Sequence, residues 1–193
     1  VGPTAAAVRG FKNSLVWKTP GTVKTFPHLR ITAGAFPQHN EAELGRYLYE
    51  VDRVGNDDLR RILSFAALCV LEAISYTRQD GQYLRWDDRS GKRVGKKPFS
   101  KGSIIDFTEA ITTKLEQIAT DISCDGFPFK EGSPTEHHDR IQLLTGSCLD
   151  ILPNLEPCTF DALVTSPPYC NRYDYTRTYA LELAMLGVNE IQI

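Results

Sequence analysis

Between Asp57 and Ile74, apolar residues recur every three or four positions: Leu59, Ile62, Leu63, Ala66, Ala67, Val70, Leu71 and Ile74. This spacing gathers them on one face of an α-helix, and Asn56, Asp57 and Asp58 offer side-chain acceptors to the free N–H groups of its first turn. A helix buried along one face is therefore predicted over 57–74. The same period returns over Asp106–Ile122, where Phe107, Ala110, Ile111, Leu115, Ile118 and Ile122 form one stripe and Glu109, Lys114 and Glu116 fall mostly elsewhere. A second amphipathic helix is predicted there. In residues 1–40, Pro20, Pro27 and Pro37 break up short apolar pieces such as Leu15-Val16-Trp17 and Leu29-Arg30-Ile31. That stretch is expected to be extended or irregular. Cys124–Arg140, with Gly126, Pro128, Gly132 and Pro134, reads as an irregular connection.

The pattern changes after Arg140. Ile141-Gln142-Leu143-Leu144 reads as a short strand, Gly146 to Leu152 as a turn entering a short helix, and Asp161-Ala162-Leu163-Val164-Thr165 as a second strand. Pro167 and Pro168 stop that strand abruptly, because proline donates no ladder hydrogen bond and restricts the residue before it. A further helix is predicted from about Thr178 to Leu186. Strand, crossover helix and strand make a parallel unit of an α/β sheet. The expectation is thus an α/β fold at 141–193, preceded by a mainly helical region at 1–140. Ligands of such sheets collect at the carboxyl ends of the strands, and Ser166 stands at one.

Composition bounds this picture without redirecting it. The chain has 193 residues, 41% hydrophobic and 24% charged, as in an ordinary globular protein of one domain or one domain with an appendage. The longest apolar run, Phe65 to Ile74, is interrupted by Glu72 and falls short of the roughly 18 residues that cross a bilayer. With no export signal at Val1-Gly2-Pro3, the expectation is a cytoplasmic protein with no membrane partner. Cys69, Cys124, Cys148, Cys158 and Cys170 are scattered and odd in number, which suits reduced thiols. His137-His138 and these cysteines lack metal-ligand spacing, so no metal is expected.

The net charge of -2 gives no general attraction to a polyanion. Arg85–Lys101, however, holds seven basic and two acidic residues, with Trp86 and Phe99 interleaved. Such a run is commonly a solvated loop, yet basic and aromatic residues together also suit nucleic acid. Arg89, Lys92, Arg93, Lys96 and Lys97 are the candidate contacts.

The candidate chemistry lies in Ser166-Pro167-Pro168-Tyr169. The Ser166 hydroxyl and the Pro167 carbonyl offer two adjacent acceptors, and two successive prolines hold them in place before any substrate arrives. Two acceptors at one point suit an exocyclic base amine, whose lone pair is delocalised into the ring until both its hydrogens are bound. Tyr169 adds a flat ring on which a base swung out of its helix can stack. Cys170, beside this ring in sequence, is read as a packing residue.

Asp161 to Tyr169 resembles the catalytic motif of the DNA amino-methyltransferases, in which Ser, Asp or Asn precedes Pro-Pro and an aromatic residue. Ile141 to Leu152 is similar to the strand and Gly-Asp turn that precede that motif, although Ser147 stands where the family usually has an acidic residue. Arg78 to Trp86 is more weakly similar to a stretch upstream of the motif in some bacterial methylases. The resemblance implies a Rossmann-like sheet, S-adenosylmethionine as methyl donor, and double-stranded DNA as substrate, methylated site-specifically as in restriction-modification systems. It implies catalytic roles for Ser166, Pro167, Pro168 and Tyr169, and cofactor contacts at Thr165 and Gly146. Arg172, Tyr173 and Arg177 would lie in a DNA-facing loop. The serine form favours cytosine N4, with adenine N6 or an RNA or protein amide as the other enzymatic readings. The family's Phe-x-Gly-x-Gly cofactor turn is not found in these residues. The resemblance therefore describes a partial chain, completed by the rest of the enzyme or by a second subunit, or else a DNA-binding fragment without a cofactor site.

Overall fold

The computed structural model describes residues 4–81, 83–92, 98–123, 144–165 and 175–191. They fall into two compact units, one holding the described residues up to 123 together with 175–191, the other holding 144–165.

The first unit opens with helix α1, Ala5–Ser14, where an irregular stretch was expected. Pro20, Pro27 and Pro37 all lie beyond it, and Ala5, Ala6 and Ala7 are strong helix formers. The Thr4 hydroxyl accepts from the Ala7 N–H at 3.2 Å, and Val8 is fully buried between the partly buried Ala5 and Phe11. From Leu15 to Pro37 the chain is irregular apart from a 3₁₀ turn at Val16–Lys18. Helix α2, Gln38–Asp52, buries Leu44, Tyr47, Leu48 and Val51. Gly45 within it lets the irregular stretch lie against the helix: its carbonyl accepts from the Lys24 N–H at 3.1 Å, and a Cβ there would stand 2.5 Å from the Lys24 carbonyl oxygen.

Helix α3, Asp57–Ile74, has its predicted limits, with Asn56 Oδ1 accepting from the Leu59 N–H at 2.8 Å. Helix α4, Phe107–Ser123, matches the second predicted helix, and Asp106 Oδ1 accepts from the Thr108 N–H at 2.9 Å. The helices close over Trp17, Tyr47, Leu63, Phe107 and Ile111, all fully buried. Each such side chain contributes about 1.5–3 kcal/mol by leaving water. The buried Tyr47 hydroxyl donates to the Leu63 carbonyl at 2.9 Å, and burial pushes its ionisation far above the usual phenol range.

Asn40 ties three helices together from a fully buried position. Its Nδ2 donates to the Ile74 and Ile105 carbonyls at 2.9 and 3.0 Å, and its Oδ1 accepts from the Phe107 N–H at 2.9 Å. One amide thereby satisfies groups at the end of α3 and the start of α4 that their own helices leave open.

Between α3 and α4 the chain forms an antiparallel hairpin, β1 Thr77–Asp80 and β2 Tyr83–Trp86, pairing Thr77 with Trp86, Arg78 with Arg85, Gln79 with Leu84 and Asp80 with Tyr83. Gly81 turns it with φ of 59°. Among the described residues this two-stranded sheet is the sheet of the molecule.

In the second unit, Gly146 (φ 149°) leads into helix α5, Cys148–Ile151, and a 3₁₀ turn at Leu152–Asn154. The turn and short helix stand where the sequence places them. The strand expected at Asp161–Thr165 does not form: these residues carry no regular structure, and Leu163 and Val164 are 84% and 96% exposed. A strand needs neighbouring backbone to pair its N–H and C=O groups, and among the described residues none is supplied. Ile141–Leu143, in the other expected strand, lie outside the described residues.

The helix predicted at 178–186 is realised as α6, Tyr175–Thr178, and α7, Ala180–Met185, part of the first unit. Among the described residues no helix is long and apolar enough to cross a membrane.

Candidate functional site

Ser166, Pro167, Pro168, Tyr169, Arg172, Tyr173, Arg93, Lys96 and Lys97 lie outside the described residues. Their flanks and the base of the basic segment are described.

On the amino side of the motif, Thr165 is exposed at the end of the irregular 161–165 stretch. Gly146 occupies a backbone conformation that disfavours side chains, and a Cβ there would press on Ile151 at 3.2 Å. Beside it the Ser147 hydroxyl accepts from the Leu149 N–H at 3.2 Å, so the serine that replaces the family's acidic residue caps α5.

On the carboxyl side, α6 and α7 dock on the hairpin. The Thr178 hydroxyl donates to the Gly81 carbonyl at 3.2 Å, and Gln79 Nε2 donates to Glu182 Oε1 at 3.2 Å. Among the described residues, Glu182 Oε2 is buried with no hydrogen-bond partner. Burial, with the nearby Glu72 charge adding to it, raises the Glu182 pKa above its ordinary value. Tyr175 and Tyr179 stack with ring centroids 6.4 Å apart, both half exposed, and Arg177 is exposed between them in sequence.

The basic segment is stapled at its base by Asp87, which sequence reading passed over. Asp87 is 1% exposed. Its carboxylate accepts from Arg89 Nε at 2.7 Å, Arg89 Nη2 at 2.9 Å, the Arg89 N–H at 2.9 Å and the Lys101 N–H at 2.6 Å. The Arg89 guanidinium holds this carboxyl well below the usual carboxylate range, against the opposing effect of burial. The Asp87 N–H donates to the Tyr76 carbonyl at 2.8 Å, and the Asp88 N–H to the Phe99 carbonyl at 3.0 Å. The two ends of the loop are thus drawn together beside the hairpin.

This arrangement separates the candidate cations. Arg89 spends its guanidinium on Asp87 and on the Gly102 carbonyl at 2.6 Å, which makes it a loop staple first. Lys92 lies over the Trp86 ring, 4.3 Å from its centroid. Lys101, not among the candidates, donates to the Glu72 carbonyl and, at 3.0 Å, to the Ser75 carbonyl. There its charge meets the partial negative charge at the end of α3, while burial pulls its pKa down to about 8. The signal for the hairpin was present in the sequence as Asp80-Gly81 between alternating residues.

No protein-family model and no solved structure matches the chain. Among curated proteins, the chain is 48% identical over 177 residues to the Type II methyltransferase M.AvaI of Nostoc sp. and, equally, to that of Anabaena variabilis. The match covers 92% of this chain and 36% of each relative. It is 40% identical over 190 residues to the Type II methyltransferase M.BsoBI of Geobacillus stearothermophilus, covering 87% of this chain and 35% of that one. The chain spans about a third of the length of the curated relatives it matches, and over that length it is similar to a segment of these Type II methyltransferases.

Proposed function

We propose that this chain supplies the target-base half of a site-specific DNA methyltransferase acting on an exocyclic base amine, cytosine N4 in preference to adenine N6. The observation that carries the reading is Ser166-Pro167-Pro168-Tyr169 within a sequence 48% identical to Type II methyltransferases. The serine in first position supports cytosine N4.

In this reading residues 141–193 belong to a Rossmann-like sheet completed by the rest of the enzyme or by a second subunit, and the helical region 1–140 helps to contact DNA. When bound, S-adenosylmethionine would supply an electrophilic sulfonium methyl group for the amine nitrogen, with a neutral thioether as leaving group and the amine proton passing to solvent. Ser166 Oγ and the Pro167 carbonyl accept the two amine hydrogens and localise the nitrogen lone pair. Pro168 fixes that geometry, and Tyr169 stacks on the flipped base, worth about 1–3 kcal/mol. The backbones of Gly146, whose missing Cβ would face Ile151, and of Thr165 are the described positions assigned to the cofactor in this reading. Arg172, Tyr173 and Arg177, with the basic loop, face the DNA.

The test is methyl transfer from tritiated S-adenosylmethionine to duplex DNA, followed by nuclease digestion and mass analysis of the nucleosides. N4-methylcytosine is expected, and Ser166→Ala is expected to lower turnover by about 100-fold or more with DNA affinity nearly unchanged. N6-methyladenine overturns the base assignment. Full turnover in Ser166→Ala overturns the role of the serine.

A further inference from the structure

The hairpin register sets two arginines directly across from each other. Arg78 on β1 pairs with Arg85 on β2, and alternation along the strands divides the hairpin into two faces. Thr77, Leu84 and Trp86 are buried on one, where Gln79 also meets Glu182 of α7. Arg78, Asp80 and Tyr83 are exposed on the other, with Arg85 half-buried among them. Like charges directly opposite on one face of a sheet destabilise it, so an arginine pair here is a cost to the fold unless an anion meets it.

Among the described residues, one carboxylate meets the pair. Asp80 contacts one edge of Arg85, Nη1 to Oδ2 at 3.2 Å. Among the described residues the Arg78 side chain makes no hydrogen bond or ion pair. Over residues 77–101 the sequence has eight basic and three acidic residues. Two of the acids, Asp80 and Asp87, are already engaged with Arg85 and Arg89. The result is a local positive excess in a chain of net charge -2.

The face also carries the side chains that suit a nucleic-acid backbone. The Arg85 guanidinium lies over the Phe99 ring, 4.2 Å from its centroid, and its planar fork is suited to a phosphate. Phe99 is held in place through the Asp88 N–H to Phe99 carbonyl bond at the base of the Asp87 staple. Tyr83, 51% exposed, adds an aromatic ring beside the two guanidinium groups. Regularly spaced phosphates, each able to accept from a planar guanidinium fork and from a phenol hydroxyl, match that combination better than an acidic peptide does.

We propose that the outer face of the β1–β2 hairpin, Arg78, Tyr83 and Arg85 backed by Phe99, seats the phosphate backbone of duplex DNA. This rests on the reading of the chain as part of a DNA methyltransferase. It places backbone contacts at Arg78 and Tyr83, before the basic segment, and at Arg85, where that segment begins, and thus on residues other than Arg89, Lys92, Arg93, Lys96 and Lys97. The opposite face of the hairpin carries α6 and α7, the helices that follow the candidate catalytic motif in sequence. A strand gripped here is held by the same small sheet that holds those helices.

The test uses the chain with fluorescein-labelled duplex DNA, reading anisotropy from low to moderate salt. Arg78→Thr, Arg85→Ala and the double variant are compared with Arg61→Ala, whose side chain is 80% exposed on α3. Each hairpin substitution is expected to weaken binding about 5- to 10-fold and to reduce the slope of log affinity against log salt by about 0.9. Arg61→Ala should change neither. Arg78→Thr should also raise the melting temperature, because it relieves the opposed charges while keeping a strand-favouring residue; a purely structural arginine would lower it. The proposal is overturned if the double variant binds duplex with the affinity and salt slope of the unaltered chain, or if polyglutamate competes as well as DNA. Absence of duplex binding by the unaltered chain also overturns the surface. The methyl-transfer reading is decided separately by the nucleoside product.

Discussion

Replacing Asp87 by alanine removes the acceptor at which both ends of the basic loop meet. Four hydrogen bonds are lost, three from Arg89 and one from the Lys101 N–H. Hydrogen bonds to a charged group contribute about 1.5–3 kcal/mol when buried, but the Arg89 side chain is 49% exposed and rehydrates. Its ion pair, screened by solvent, therefore adds little. The Lys101 N–H sits in a half-buried residue and loses its acceptor outright, at about 1–3 kcal/mol. The expected loss is therefore about 1–3 kcal/mol, a substantial part of the roughly 5–15 kcal/mol that holds a domain folded. Urea unfolding with linear extrapolation measures it, and limited trypsin digestion should show earlier cleavage after Arg89 and Lys92 in Asp87→Ala. Acid titration gives a second readout. The folded pKa of Asp87 is depressed, so its contribution is complete above the unfolded value near about 3.9 and is lost as pH falls below it toward the folded value. Asp87→Asn should lack that acid-side loss while keeping part of the loop's hydrogen bonding. A change below about 0.5 kcal/mol in Asp87→Ala, on the scale of an ordinary surface substitution, with an unaltered digestion pattern would refute the staple.

Two further substitutions probe the frame that carries this loop. Asn40→Ala leaves the Phe107 N–H and the Ile74 and Ile105 carbonyls without their partner, and a loss of about 3–5 kcal/mol in urea unfolding is expected; a loss under about 1 kcal/mol would mean that water replaces the amide. Glu182→Gln keeps an oxygen to accept from Gln79 and removes a buried charge. Because the folded pKa of Glu182 is raised, the native protein holds that proton more tightly, and its stability falls as pH rises from the unfolded value toward the folded one. Thermal melts from about pH 4 to 7 should show this fall in the parent chain and a flatter profile in Glu182→Gln. Identical profiles would remove Glu182 from the account.

The helices at 57–74 and 107–123 were legible because both of their signals are local: a stripe of apolar residues at helical spacing, and an Asn or Asp just before the first turn. Helix α1 was missed although Thr4 before three alanines is the same kind of signal, because the later prolines dominated the reading of residues 1–40. The bonds made by Asn40 and Asp87 had no local signature. Asn40 meets Phe107 across 67 residues and Asp87 meets Lys101 across 14, and chain spacing says nothing about such pairs. The basic segment was legible as charge, but its division into a staple at Arg89, a ring contact at Lys92 and a helix-end contact at Lys101 depends on tertiary placement.

The contrast is sharpest at Asp161–Thr165, where the letters suggest a buried strand and the described residues show an exposed, irregular stretch. Burying Leu163 and Val164 would contribute about 3–6 kcal/mol together. Fixing five residues in extended form costs about 5–10 kcal/mol of backbone entropy, and the N–H and C=O groups need partners besides. Two apolar side chains do not offset that cost without neighbouring strands. The chemistry of Ser166-Pro167-Pro168-Tyr169 is therefore readable from local sequence, because two prolines and a hydroxyl determine what the motif can accept. Its placement is not, because the strand that would aim it is stable only as part of a sheet. The proposed function thus makes a structural demand: whatever completes the sheet must also order Asp161–Thr165. Amide hydrogen exchange at Leu163 and Val164 should slow when the chain is joined to the rest of a methyltransferase. Unchanged fast exchange in an enzyme that transfers methyl groups would show that the motif works without the strand.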